Sequence, residues 1–89
     1  MQSNKIEKSP EVKILIKKSV KLNSMKEVEK FNHICSKYSC DVDLQTGKYY
    51  VDAKSIMGIF SLDLEQPLTL LVDSDDDIEV SEKFRDFLV

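Results

Sequence analysis

Apolar residues along the chain fall into short stretches whose spacing switches between two and three or four. In Val12-Lys13-Ile14-Leu15-Ile16-Lys17, Val12, Ile14 and Ile16 alternate with polar or opposite-facing neighbours, the period of a half-buried strand. Ser24-Met25-Lys26-Glu27 then has the form of a capping box: the serine oxygen takes a free backbone N–H and the glutamate reaches back to the cap residue. A helix is expected from there to about Lys37, with Val28, Phe31, Cys35 and Tyr38 on its apolar face. Val42 and Leu44, then Tyr49 and Val51, alternate on either side of Thr46-Gly47, which predicts a β-hairpin. Ser55 to about Leu62 reads as a short helix ending before Gln66-Pro67, and Leu68, Leu70 and Val72 mark a last strand. After the acidic turn Asp73-Ser74-Asp75-Asp76-Asp77, the spacing of Val80, Phe84, Phe87 and Leu88 suits one buried face of a closing helix.

The order is strand, helix, strand, strand, helix, strand, helix. This is an α+β pattern in which amphipathic helices cover one face of an antiparallel sheet. Residues 1–10 are polar, aperiodic and closed by Pro10, and read as a flexible tail before a single domain over residues 11–89.

Composition narrows the function. Apolar residues at 42% and charged residues at 33% are ordinary for a soluble globular domain, and no apolar run approaches the roughly 20 residues of a membrane span. The N-terminus lacks the apolar core of a secretory signal, so a cytoplasmic location is expected. A net charge of −3, with the acids gathered late, argues against direct binding of nucleic acid. Cys35, Cys40 and the lone His33 have neither zinc-ligand spacing nor a disulfide framework, so reduced thiols, no metal and no cofactor are expected. His33 lies off the apolar face of its helix and reads as solvated.

The most distinctive stretch is Ala53-Lys54-Ser55-Ile56-Met57-Gly58-Ile59-Phe60-Ser61-Leu62, with a serine where a helix should begin and bulky apolar residues behind it. Together with Cys35-Ser36-Lys37-Tyr38 and Asp41-Val42-Asp43-Leu44, it resembles HPr, the histidine phosphocarrier family of the bacterial sugar phosphotransferase system, in its Gram-positive form. The resemblance implies an open-faced sandwich: a four-stranded antiparallel sheet in the order 1-4-2-3, covered on one face by three helices. It implies a carrier and signalling protein, not an enzyme in its own right.

The family's first motif, Gly-(Leu/Ile)-His-Ala-Arg-Pro-Ala, carries the histidine that takes phosphate from enzyme I. Counted back without gaps from Tyr38 and Val42, it falls on Leu22 to Val28. Ser24 then stands in the place of the histidine, Lys26 in that of the arginine and Glu27 in that of the proline; a one-residue slip puts Asn23 at the histidine's place instead. Neither register supplies an imidazole. A serine hydroxyl forms a stable phosphate ester and needs a base to become nucleophilic, whereas an imidazole forms a readily transferred phosphoramidate. His33 lies nine residues beyond Ser24, roughly 13 Å along a helix at 1.5 Å per residue. Catalytic transfer is therefore not expected, and enzyme I is not expected as a phosphodonor.

Ser55 aligns with the serine that an ATP-dependent HPr kinase/phosphorylase modifies in Gram-positive relatives, whose product binds the catabolite control repressor. Ile56, Met57 and Phe60 align with the family's exposed docking patch, while Ile59 and Leu62 suit the core. The reading is a degenerate member similar to the catabolite-repression paralogue: a regulatory or adaptor protein with protein partners. The alternatives are a phosphocarrier using Ser24 or His33, and a binding module indifferent to phosphorylation.

Overall fold

The computed structural model describes residues 15–89. The expected tail over residues 1–10 and the Val12–Ile14 part of the first strand lie outside them. Strand β1 (Ile16–Val20), helix α1 (Met25–Ser36), hairpin strands β2 (Val42–Thr46) and β3 (Tyr49–Asp52), helix α2 (Ile56–Phe60), strand β4 (Leu68–Val72) and helix α3 (Asp77–Lys83) follow in turn. A single 3₁₀ turn over Arg85–Phe87 closes the chain.

The strands form one antiparallel sheet in the order β1-β4-β2-β3, as the resemblance implied. One face of the sheet and the inner faces of the helices meet in a core that includes Val20, Leu44, Leu70 and Val72 from the strands, Phe31, Ile59 and Val80 from the helices, and Phe84 just past the end of α3. Phe31 is central: its ring lies 5.2 Å from Phe84 and 5.5 Å edge-on to Phe87. Such tilted pairings suit the aromatic quadrupoles.

Four elements depart from the sequence pattern. β1 continues beyond Lys17 to Val20, which is fully buried, while Lys17 and Ser19 face outward. The pattern concealed this because Lys18 occupies an inward-side position, its ammonium reaching Asp77 at 2.6 Å. A long aliphatic stem lets lysine line a sheet face while the charge stays in water.

α2 stops at Phe60, well before Pro67, because the Ser61 N–H and hydroxyl both turn onto the Gly58 carbonyl, at 3.1 and 2.6 Å. The closing helix ends at Lys83. Phe87 is buried from the 3₁₀ turn instead, and Leu88 is drawn into a bridge with Val20. Backbone bonds from Lys21 N–H to the Phe87 carbonyl and from Val89 N–H to the Ser19 carbonyl thus lay the C-terminus along β1. Finally, Tyr49 is 73% exposed although it alternates with Val51, because it lies at the open hairpin tip.

Candidate functional site

Two helix starts are built in the same way. At α1, Ser24 has extended backbone and its Oγ accepts the Glu27 N–H at 3.1 Å. Glu27 reaches back one residue further than the capping box requires, its Oε1 accepting the Asn23 N–H at 2.9 Å. At α2, the Ser55 Oγ accepts the Gly58 N–H at 3.2 Å. In each case a side-chain oxygen satisfies a donor that the first helical turn leaves unpaired.

The Ser55 loop is tied to α1 and β2 by backbone-directed bonds. Asn32 Nδ2 donates to the Ala53 carbonyl at 3.1 Å, and Lys54 Nζ to the Tyr38 carbonyl at 2.8 Å. Ala53 N–H donates to the Val42 carbonyl, continuing the ladder past the end of β3. Ser55 itself stays exposed, and no acidic residue lies in the first turn of α2. A phosphate on its hydroxyl would face water and free N–H groups with no carboxylate of that turn opposing it.

Behind Ser55, Ile59 is fully buried, whereas Met57 is 76% and Phe60 41% exposed. Ile56 is half-buried and packs on the core, so it belongs as much to the fold as to the surface. Gly58 lies where α2 meets β3; a Cβ there would stand 3.4 Å from the Val51 Cβ, an ordinary contact.

The structure joins parts of the two sequence motifs. Phe60 and Leu64 share a groove of about 320 Å³ with Ser24, Met25, Asn23 and Lys21. Lys21 Nζ spans one rim, donating to Asn23 Oδ1 and to the Leu64 carbonyl, both at 3.0 Å. Met25, 68% exposed beside this groove, was not singled out by sequence reasoning; the only signal was an apolar residue directly after a cap and off the buried face. Lys26 is exposed. His33 lies elsewhere, exposed on α1 and lining a separate groove with Lys37, Tyr38, Glu79 and Lys83.

Neither cysteine lies at this site. Cys35 is buried in the core and burial pushes its thiol up to about 12, so it is inert as a nucleophile at neutral pH. Among the described residues, no cluster of His, Cys, Asp or Glu is placed to hold a metal ion. No helix among them is long and apolar enough to cross a membrane.

A small α+β sandwich with two capped helix starts flanking an exposed apolar patch defines the class of HPr-like domains. The chain matches the PTS-HPr family model, described as the PTS HPr component phosphorylation site, over residues 11–88, and belongs to that family. No curated protein matches it by sequence. Among solved structures it is similar to HPr-C-His from Thermoanaerobacter tengcongensis, at 27% identity over 82% of this chain and 88% of that one, with a TM-score of 0.65. It is also similar to the Bacillus subtilis catabolite-repression protein Crh, at 28% identity over 88% of this chain and 86% of that one, with a TM-score of 0.56. That protein crystallised as a domain-swapped, intertwined dimer. The phosphocarrier protein HPr from Bacillus anthracis str. Ames shares the fold at 23% identity, with a TM-score of 0.59 over 76% of this chain and 89% of that one.

Proposed function

We propose that this HPr-family protein is a regulatory or adaptor domain of the phosphotransferase system that does not carry phosphate on histidine. What supports it lies at α1: in the gap-free register Ser24 stands in the histidine's place with its oxygen engaged as the helix cap, and the one-residue slip to Asn23 supplies no imidazole either. No imidazole stands beside it, since His33 lines a different groove. Ser55 is the modification site in this reading, and Met57 and Phe60, with the outer part of Ile56, are the surface that a partner reads. The exposure of Met57 and Phe60 next to an exposed cap serine supports it. So does the similarity to Crh, a catabolite-repression protein. The partners of this reading are cytoplasmic proteins: an HPr kinase/phosphorylase that modifies Ser55, and the catabolite control repressor or another regulator that binds the product.

The test is mass spectrometry after two separate incubations, one with enzyme I and phosphoenolpyruvate, the other with HPr kinase and ATP. The expected result is phosphate on Ser55 in the second and none in the first. Acid-labile phosphohistidine at His33, or a phosphate ester on Ser24, would establish a carrier with a non-standard acceptor. No phosphate in either incubation would leave a binding module independent of phosphorylation.

A further inference from the structure

The two edges of the sheet are treated differently. At the β1 edge, the chain's own C-terminus bonds to Ser19 and Lys21 and bridges Val20 to Leu88. The opposite edge is β3, paired among the described residues only with β2. β3 is joined to β2 by the two-residue loop Gly47-Lys48, with Gly47 at φ +58°. In such a hairpin the closing pair Thr46 and Tyr49 exchanges both hydrogen bonds, and every second pair does the same. The Ala53 N–H to Val42 carbonyl bond falls on that parity. Tyr50, one residue out of phase, therefore turns its N–H and C=O away from β2 toward the open edge. Unpaired groups of this kind are a template for another strand.

The sequence of this edge is self-complementary. In Lys48-Tyr49-Tyr50-Val51-Asp52, an antiparallel copy centred on Tyr50 sets Lys48 opposite Asp52, Tyr49 opposite Val51 and Tyr50 opposite itself. Opposite charges and an aromatic–β-branched pair are both favourable across strands. Tyr50 would exchange its outward N–H and C=O with its own equivalent. The Asp52 N–H would add a bond to the Lys48 carbonyl of the second copy, while the Asp52 carbonyl stays with the Ser55 N–H. Beside the edge lies a groove of about 430 Å³ between Tyr49, Val51 and the Ser61–Asp63 turn. In this register the Tyr49 ring of the second copy faces Val51 and enters that groove. Tyr49 and Tyr50 are 73% and 62% exposed in the single chain.

The geometry points to a second copy of this chain as the occupant of the β3 edge, paired antiparallel about a two-fold axis through Tyr50. Pairing along one short edge strand is a small contact, so the dimer is a weak, concentration-dependent one. It is distinct from the proposed Ser55 function, and either can fail without the other.

The test is amide hydrogen exchange by NMR on the full chain at increasing concentration, with sedimentation velocity alongside. The Tyr50 and Asp52 amides are expected to gain protection with concentration. Lys48→Glu sets two carboxylates against each other at both ends and is expected to raise the dissociation constant about tenfold. Asp52→Lys is expected to do the same, and an equimolar mixture of the two variants to recover dimer, since only the mixed pair restores both opposite-charge contacts. No concentration-dependent protection at Tyr50, protection confined to other elements, or undiminished dimer in Lys48→Glu would each overturn the proposal. If Asp52→Lys unfolds for loss of its carboxylate bond to the Lys54 N–H, the Tyr50 amide and the Lys48→Glu variant still decide it.

Discussion

Ser24 and Ser55 are chemically the same residue in the same structural role, and what separates them is their surroundings. Each closes one open donor of a helix, so Ser24→Ala and Ser55→Ala should each cost about 1 kcal/mol. In a domain of this size that is a fall in Tm of roughly 4–8 °C, measurable by thermal denaturation. Under the proposed function only Ser55→Ala also abolishes phosphorylation by the kinase. Equal stability loss with unequal phosphorylation thus divides a cap from a regulatory site. The charge pair between β1 and α3 gives a second readout at this scale. The Asp77 carboxyl is held below its usual range, first by its hydrogen bond from Lys18 and then by the nearby charge. Lys18→Ala should return the Asp77 titration, followed by NMR, toward that of a free aspartate.

Within α2, burial divides neighbours two residues apart. Ile59→Ala empties a fully buried position and should cost about 2–5 kcal/mol. Met57→Ala should stay within about 0.5 kcal/mol of the wild type, because the side chain is three-quarters exposed. Urea denaturation of the two variants checks this, and a large loss in Met57→Ala would make the patch part of the fold. The cap at Ser55 and the buried Ile59 were legible in the sequence because capping and helical spacing act within a few residues. The sheet order was legible only through the family resemblance. The groove uniting Met25 and Phe60 was not legible at all, since it arises where α1 and the end of α2 converge from distant parts of the chain. The closing segment misled for a related reason. Val80, Phe84, Phe87 and Leu88 satisfy helical spacing, but β1 offers Leu88 and Val89 a strand-like partner that local periodicity does not encode.

Taken as a whole, the molecule ties its stability at alkaline pH to two weak acids, Cys35 on α1 and Tyr38 just after it. Burial is the main cause that pushes the Cys35 thiol from 9.0 up to about 12, with the charge of Asp52 adding to it. Tyr38, stacked on Phe84 at 5.9 Å, is raised from 10.0 to about 12 by burial and then by the charge of Glu79. Below pH 9 both groups are protonated in the folded and the unfolded chain, so they leave stability independent of pH. Above pH 9 the unfolded chain releases the Cys35 proton while the folded chain keeps it, and stability falls as pH rises. The slope from a fully developed difference of one proton is about 1.4 kcal/mol per pH unit, and the loss continues until pH passes the folded value near 12. Urea denaturation from pH 8 to the onset of alkaline unfolding should show this decline, and Cys35→Ala should flatten its portion between pH 9 and 10, whatever it costs at neutral pH. Tyr38 adds a test of opposite sign. Its hydroxyl oxygen is shielded from solvent and makes no hydrogen bond among the described residues. An unsatisfied polar atom costs more than an apolar edge in the same place. Tyr38→Phe should therefore gain about 1 kcal/mol at neutral pH and lose the part of the alkaline slope that begins at pH 10; a destabilised variant would mean that the hydroxyl has a partner in solution.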